Sequence, residues 1–248
     1  MRLNRYLAAC GLGSRRRCEE LITSGRVHLN GEPAAFADRV GPADRVTVDD
    51  REVRPEETGA IWMLHKPSGV VCTADDPEGR PTVLDLVKRH GITLRVFPVG
   101  RLDRDTTGLL LVTNDGNLAF RLTHPAWGVE KEYEARVATP LDAPALERLR
   151  RGVPLADGPT SPCTATQEMD GAQVRVRLVL HEGRKRQVRR MLEALGHPVL
   201  HLHRVRVGPL RLGDLPPGEL RLLGAEEKAA LAAAPVPDAP THAPREPA

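Results

Sequence analysis

Residues 174–196 limit the fold more than any other stretch of the chain. Val174, Val176, Leu178 and Leu180 alternate with Arg175 and Arg177. Side chains of a strand point to opposite faces in turn, so this spacing predicts a strand with one apolar and one partly basic face. Asp170-Gly171 just before it has the composition of a hairpin turn. The period then changes. Val188, Met191, Leu192 and Leu195 fall at helical spacing, and Gly196 supplies the stop. A one-sided strand and a one-sided helix are stable only when they bury each other's apolar faces. Further strands are predicted at 61–64, 109–113, 133–137 and 199–207, without the regular strand–helix alternation of a doubly wound sheet. The expected class is α+β: a mixed, mainly antiparallel sheet with flanking helices. Aromatic residues make up only 3% of the chain, so its core must be built from Leu, Val, Ile and Ala.

The first module is expected over residues 1–52. Leu3, Tyr6 and Leu7 recur at helical spacing, and Gly11 and Gly13 interrupt it. Ser14 is placed to cap a second helix with the stripe Cys18, Leu21 and Ile22, closed by Gly25. Residues 27–29 and 46–48 are β-rich, and Asn30-Gly31 marks a tight turn. A charged, Pro-containing linker is expected at 53–59, then a second domain over 60–223. From 224 to 248 the chain is rich in Ala and Pro; a short helix over 226–234 and a disordered tail are expected.

The 248 residues carry a formal charge of only +3, but the charge is unevenly spread. Residues 175–211 hold nine Arg and one Lys against Glu182 and Glu193, a net of +8. Residues 1–31 hold six Arg against Glu19 and Glu20, a net of +4. Local basic surfaces are the footprint of a polyanion partner. Arg15, Arg16 and Arg17 open the second helix, where the helix dipole disfavours cations by about 0.3–1 kcal/mol each. A docked phosphate would satisfy both the free N–H groups and the arginines; a solvated charge run screened by Glu19 and Glu20 is the plainer alternative. Arg2 and Arg5 extend the same basic end.

Cys10, Cys18, Cys72 and Cys163 have neither zinc-ligand nor redox spacing and are too few for a disulfide framework, which fits a reduced, cytoplasmic protein. Leu7-Ala8-Ala9-Cys10 resembles a lipoprotein cleavage box, but Arg2, Asn4 and Arg5 interrupt the apolar run such a signal needs. No stretch has transmembrane length, and no membrane partner is expected. The nine His are scattered, so no metal site is expected.

The most informative stretch for chemistry is Val99-Gly100-Arg101-Leu102-Asp103-Arg104-Asp105-Thr106-Thr107-Gly108, followed by an apolar strand. Two glycines bracket a charged loop on a rigid support, a common way to place catalytic groups. The residues alone leave open whether Asp103 is catalytic or only part of a loop ion pair with Arg101 or Arg104. An Asp-x-Asp metal clamp of a sugar transferase, and a non-enzymatic RNA-binding or ribosome-assembly protein, are the competing classes.

The stretch resembles the signature of the RsuA/RluB-type ribosomal RNA pseudouridine synthases, and further motifs follow in order. They are Leu64-His65-Lys66-Pro67-Ser68-Gly69-Val70, then His124-Pro125 with Glu130-Lys131-Glu132-Tyr133. Glu182-Gly183-Arg184-Lys185-Arg186-Gln187-Val188-Arg189-Arg190-Met191 comes next, and 202–210 closes the series. The first module likewise resembles a small RNA-binding domain shared by a small-subunit ribosomal protein and several RNA-modifying enzymes. His181 and Leu192 depart from the family pattern without touching its chemistry.

The resemblance implies an enzyme that detaches uracil from its ribose, rotates it and rejoins it through carbon, with no cofactor or metal. It implies Asp103 as the essential carboxylate, either attacking the sugar or taking a sugar proton. It implies Arg189 as the basic residue paired with Asp103, Tyr133 as the aromatic packed on uracil, and Arg101 as the residue filling the space left by the target base. Lys66, Arg184, Lys185 and Arg186, with Arg2, Arg5, Arg15, Arg16 and Arg17, are the expected RNA contacts. The implied partner is ribosomal RNA, on the large-subunit (23S) side because Val99-Gly100 and Glu130-Lys131-Glu132-Tyr133 look more like those enzymes. A monomer is expected.

Overall fold

The computed structural model describes residues 1–55, 59–73 and 76–233. The chain divides into two units after Gly59. The first holds helices α1 (Leu3–Ala9) and α2 (Arg15–Thr23) and strands β1 (Val27–Leu29), β2 (Glu32–Pro33), β3 (Val46–Val48) and β4 (Arg51–Glu52). The strands lie in the order β2-β1-β3-β4. Ser14 caps α2 as its position predicts, its hydroxyl accepting from the Arg17 amide at 3.2 Å, an interaction worth about 1 kcal/mol. Asn30 and Gly31 both take positive φ (55° and 90°), which a two-residue turn of this hand requires. Leu3, Leu7, Cys18, Leu21, Ile22, Val27, Val46 and Val48 form the small core.

The expected linker loses its first residue to this unit. The Val53 amide donates to Val46 O at 3.0 Å, and Val53 O accepts from the Tyr6 hydroxyl at 3.1 Å. Its apolar side chain also packs on the core. Residues 56–58 of that linker lie outside the described residues.

The second unit contains, in chain order, β5 (Ile61–Lys66), α3 (Val83–Arg89), β6 (Phe97–Val99), β7 (Thr106–Thr113), α4 (Gly116–Thr123), a 3-10 turn (Pro125–Trp127), β8 (Lys131–Val137) and α5 (Ala143–Arg151). There follow β9 (Pro154–Leu155), β10 (Gly158–Pro159), β11 (Thr164–Asp170), β12 (Gln173–Leu180), α6 (Gln187–Ala194), β13 (His201–Val207), β14 (Leu210–Arg211), β15 (Leu220–Leu222) and α7 (Ala225–Ala233). Nine strands form one sheet along the path β11-β12-β8-β13-β7-β5-β15, with β6 beside β7 and β14 beside β13. The sheet is mixed and mainly antiparallel, as the residue pattern predicts; β7 and β13 run parallel.

Strand β7 is buried on both faces. Leu109 and Leu111 join the cluster that also holds Leu118, Leu122 and Leu231, whereas Leu110 and Val112 join Val83 and Val87 of α3. Each such side chain contributes about 1.5–3 kcal/mol, so the support of the loop before β7 is among the firmest parts of the domain. Where β7 meets β13, Gly108 faces Arg204. A Cβ on Gly108 would lie 2.3 Å from Arg204 O and 2.6 Å from Arg204 N.

The tail expected from residue 224 is corrected at its start. α7 spans Ala225–Ala233, one residue earlier at each end than the helix expected. It is anchored by Leu231, which is 1% exposed, and by the Arg221–Glu227 ion pair at 2.7 Å. A single large apolar residue is enough to dock an otherwise Ala-rich segment. The disorder expected after Pro235 falls on residues 234–248, which lie outside the described residues. Among the described residues no helix is long and apolar enough to cross a membrane.

Candidate active site

The loop between β6 and β7 carries Asp103, and three features hold it. Gly100 at its start takes φ 75°. Leu102 turns inward and is buried, while its amide meets Cys72 Sγ at 3.3 Å. Beneath the loop, the Lys66 ammonium donates to Pro67 O at 2.9 Å, Arg104 O at 3.2 Å and Thr106 O at 2.8 Å. An ammonium has three donors, and here all three are spent on carbonyls. Lys66 is 0% exposed, and burial pushes its pKa down from the usual lysine value while Cys72, Asp105 and Asp103 oppose the shift. The expectation of Lys66 as an RNA contact is therefore corrected. The strand that carries it is buried, and its charge is consumed in holding the loop.

Asp103 and Tyr133 line one cleft of about 510 Å³, together with Arg101, Lys131, Arg184, Lys185, Arg186 and Arg204. That volume suits a nucleotide-sized ligand. The Asp103 side chain is 31% exposed and lies 3.8 Å from Arg186 Nη1. Arg186 also reaches Asp105, at 3.6 Å. Its backbone is left-handed (φ 51°) at the start of α6, a conformation costing an L-residue about 1–2 kcal/mol. Strain of this kind collects at functional sites.

The expected Arg189–Asp103 pair is not formed; the partner of Arg189 is Asp105, at 3.0 Å. The Arg189 guanidinium also donates to Val199 O at 3.2 Å and lies near Asp105 O and Thr106 Oγ1 at 3.4 and 3.5 Å. Its side chain is 9% exposed. Asp105 sits two residues beyond Asp103 on the loop and turns toward α6, so Arg189 clamps the back of the loop rather than the carboxylate in the cleft.

Arg184 is likewise drawn inward. It donates to Gly158 O at 2.9 Å and Pro159 O at 2.6 Å, and pairs with Glu182 at 3.2 Å. It ties the β9–β10 hairpin to the segment before α6 instead of standing free for RNA. Arg101, Lys185 and Arg186 are exposed on the cleft. Arg2, Arg5, Arg15, Arg16 and Arg17 are exposed on the first unit.

Two cleft residues lie inside the quoted motifs but are not among the site residues the resemblance implies. Arg204 is 4% exposed, donates to Leu109 O at 2.8 Å, and approaches the Tyr133 hydroxyl at 3.5 Å. Lys131 donates to Val129 O at 2.8 Å; burial first, then the charge of Arg204, push its pKa down to about 8. The signal for both is the strand period. Lys131 and Tyr133 are two apart on β8, and Leu202 and Arg204 are two apart on β13, so each pair shares a face.

A loop-borne carboxylate and a tyrosine thus line one cation-rimmed cleft, in a chain with a separate basic module, an arrangement suited to an RNA-modifying enzyme. Residues 60–194 match the RNA pseudouridylate synthase family, and residues 1–51 match the S4 domain. The chain belongs to the pseudouridine synthases, which are isomerases, with an S4 module ahead of the catalytic domain. Its relatives narrow the type. Over 230 residues it is 40% identical to the ribosomal large subunit pseudouridine synthase B of Bacillus subtilis, covering 91% of this chain and 93% of that one. Over 233 residues it is 43% identical to the protein of the same name from Pseudomonas aeruginosa, covering 91% of this chain and 60% of that one. A crystal structure of a pseudouridylate synthase superposes with TM-score 0.66 at 34% identity, covering 93% of this chain and 99% of that one. The family and fold class implied by the motifs are those found.

Proposed function

We propose that this protein converts a specific uridine of large-subunit (23S) ribosomal RNA to pseudouridine, with Asp103 as the reacting carboxylate. The observation that carries the reading is the pinned loop: Lys66 beneath and Arg189 behind fix the backbone around Asp103 while its side chain opens to the cleft. Such a support costs little reorganisation when the substrate arrives. The names of the Bacillus and Pseudomonas relatives favour the large subunit.

In this reading the target uridine leaves its helix, at a cost of a few kcal/mol, and enters the cleft between Asp103 and Tyr133. Exposed Arg101, Lys185 and Arg186 bind the flanking phosphates, and Arg101 fills the gap left in the RNA. Asp103 attacks the sugar or removes a sugar proton; both roles need it ionised. The glycosidic bond to nitrogen breaks, uracil turns against the Tyr133 ring, and the bond from C1′ to C5 forms as Asp103 leaves the sugar or returns its proton; C5 then loses its proton and the freed N1 gains one, so the product is an isomer of the substrate. Arg189 is a positioning residue acting through Asp105. A metal clamp at Asp103 and Asp105 finds little support, since Arg186 and Arg189 already take Asp105. The experiment is to map pseudouridine in both ribosomal RNAs from cells with and without the protein. Loss of one large-subunit site is expected; loss of a small-subunit site, or of none, overturns the assignment.

A further inference from the structure

Helix α4 presents an exposed aromatic pair at the edge of the cleft. Phe120 is 57% exposed, and its ring lies 4.7 Å from that of His124, tilted by 38°. Phe120, Thr123 and His124 are spaced i, i+3 and i+4, so they share one helix face. That face borders the cleft, because Thr123 lines it. Thr123 is also packed close to the loop, its methyl 3.3 Å from where a Cβ on Gly100 would stand. The pair is preorganised. His124 Nδ1 accepts from the Ala126 amide at 3.2 Å, which restrains the ring. Two of the chain's three Phe are exposed, Phe36 in the first unit and Phe120 in the second, and Phe120 stands paired with a second ring beside the cleft, a flat surface open to an occupant.

We propose that the Phe120–His124 pair is a stacking platform for an unpaired RNA base next to the uridine held in the cleft. This rests on the function proposed above. The choice of an RNA base over a protein surface follows from size and surroundings. The apolar area is one ring pair and not a broad patch, its neighbours Asn117 and Thr123 are polar, and the same cleft carries Arg101, Lys185 and Arg186 for the adjoining phosphates. Extruded bases are commonly held on aromatic faces, and stacking tolerates any base. The platform thus supplies affinity and strand direction and leaves the choice of uridine to other contacts.

The test uses the full chain and an unmodified large-subunit ribosomal RNA transcript from the same organism. Phe120→Ala and Phe120→Leu should each weaken binding about tenfold, the size of one base–aromatic stack, and raise KM alike. The single-turnover rate at saturating RNA should stay at the wild-type value, and Phe120→Tyr should restore affinity. Because Phe120 is exposed, these variants fold, which an unchanged melting temperature verifies. Wild-type affinity in Phe120→Ala, or in Phe120→Leu, overturns the platform. If the wild-type protein modifies only the small-subunit transcript, the substrate assignment falls, and the same four proteins on that transcript decide the platform separately.

Discussion

In the N-terminal module Arg15, Arg16 and Arg17 stand exposed at the start of α2, whereas in the catalytic domain Arg184, Arg189 and Arg204 are folded into networks of carbonyls and carboxylates. The first group sits where the helix dipole disfavours it, and the exposed Arg17–Glu20 pair at 2.6 Å offsets little of that. The second group spends its donors on the protein. The contrast separates two uses of one residue type. Exposed arginines are the ones open to phosphate, whereas arginines with donors engaged by the protein set the shape of the site. Counting arginines along 175–211 hides this difference, because most of that net charge is internally compensated.

The largest effect expected is at Asp103. Asp103→Asn should abolish pseudouridine formation, measured on the RNA by mass spectrometry, with RNA affinity close to wild type. Turnover near the wild-type rate would remove this carboxylate from the chemistry and, with it, the division between shaping and reacting groups.

Next comes the clamp behind the loop. Arg189→Met should lower the single-turnover rate by about 10- to 100-fold because the loop is no longer held in position. In double-mutant cycles, Arg189→Met should be strongly non-additive with Asp105→Asn and weakly coupled to Asp103→Asn. The reverse pattern would restore the Arg189–Asp103 pairing and sink the clamp.

A smaller effect is expected from replacing Arg15, Arg16 and Arg17 together with Gln. RNA binding should weaken at low salt, and the slope of log affinity on log salt should flatten by about 0.7–0.9 for every phosphate that the variant no longer neutralises. Single-turnover rates at saturating RNA should hold. Arg184→Gln, by contrast, should lower the melting temperature and leave the salt slope alone. Identical salt slopes for the triple variant and wild type would erase the distinction between the two regions.

The smallest effect concerns Lys131, whose pKa is about 8 when folded against an ordinary 10.5. Between these values the unfolded chain holds a proton that the folded chain has released, so stability rises with pH across that window. Below about pH 8 the folded protein carries a poorly solvated ammonium. Lys131→Met should remove this rise, as read from urea unfolding at several pH values. A rise of equal size in both proteins would place its origin elsewhere.

Much of this arrangement is legible in the residues, for reasons that also mark the boundary. The period-2 run ending at Leu180 and the helical stripe after it fix their elements because both bury one face. The Asp103 loop announces itself by its two glycines and by the apolar strand it feeds. Helices α3, α4 and α5 bury only Val83 and Val87, Leu118 and Leu122, and Leu149, too few positions to mark an apolar stripe, although Thr82, Asp115 and Asp142 accept amide hydrogen bonds at their starts. Which aspartate meets Arg189 is not legible. Asp103 and Asp105 are two apart on a loop, and only the tertiary approach of α6 selects between them. Lys66 misleads for a similar reason, since a lysine at a strand end looks exposed until the carbonyls that surround it are known.

Gly108 gives the site a vulnerability from behind. β13 lies between β7, which follows the Asp103 loop, and β8, which carries Tyr133, and at residue 108 the first two backbones touch where a Cβ would stand 2.3 Å from an oxygen. A single methyl group there would act as a wedge, pushing Arg204 and the tyrosine it supports away from the carboxylate. The span between Asp103 and Tyr133 across the cleft is thus gauged by a missing atom, and a variant that alters neither of them can still change the distance between them.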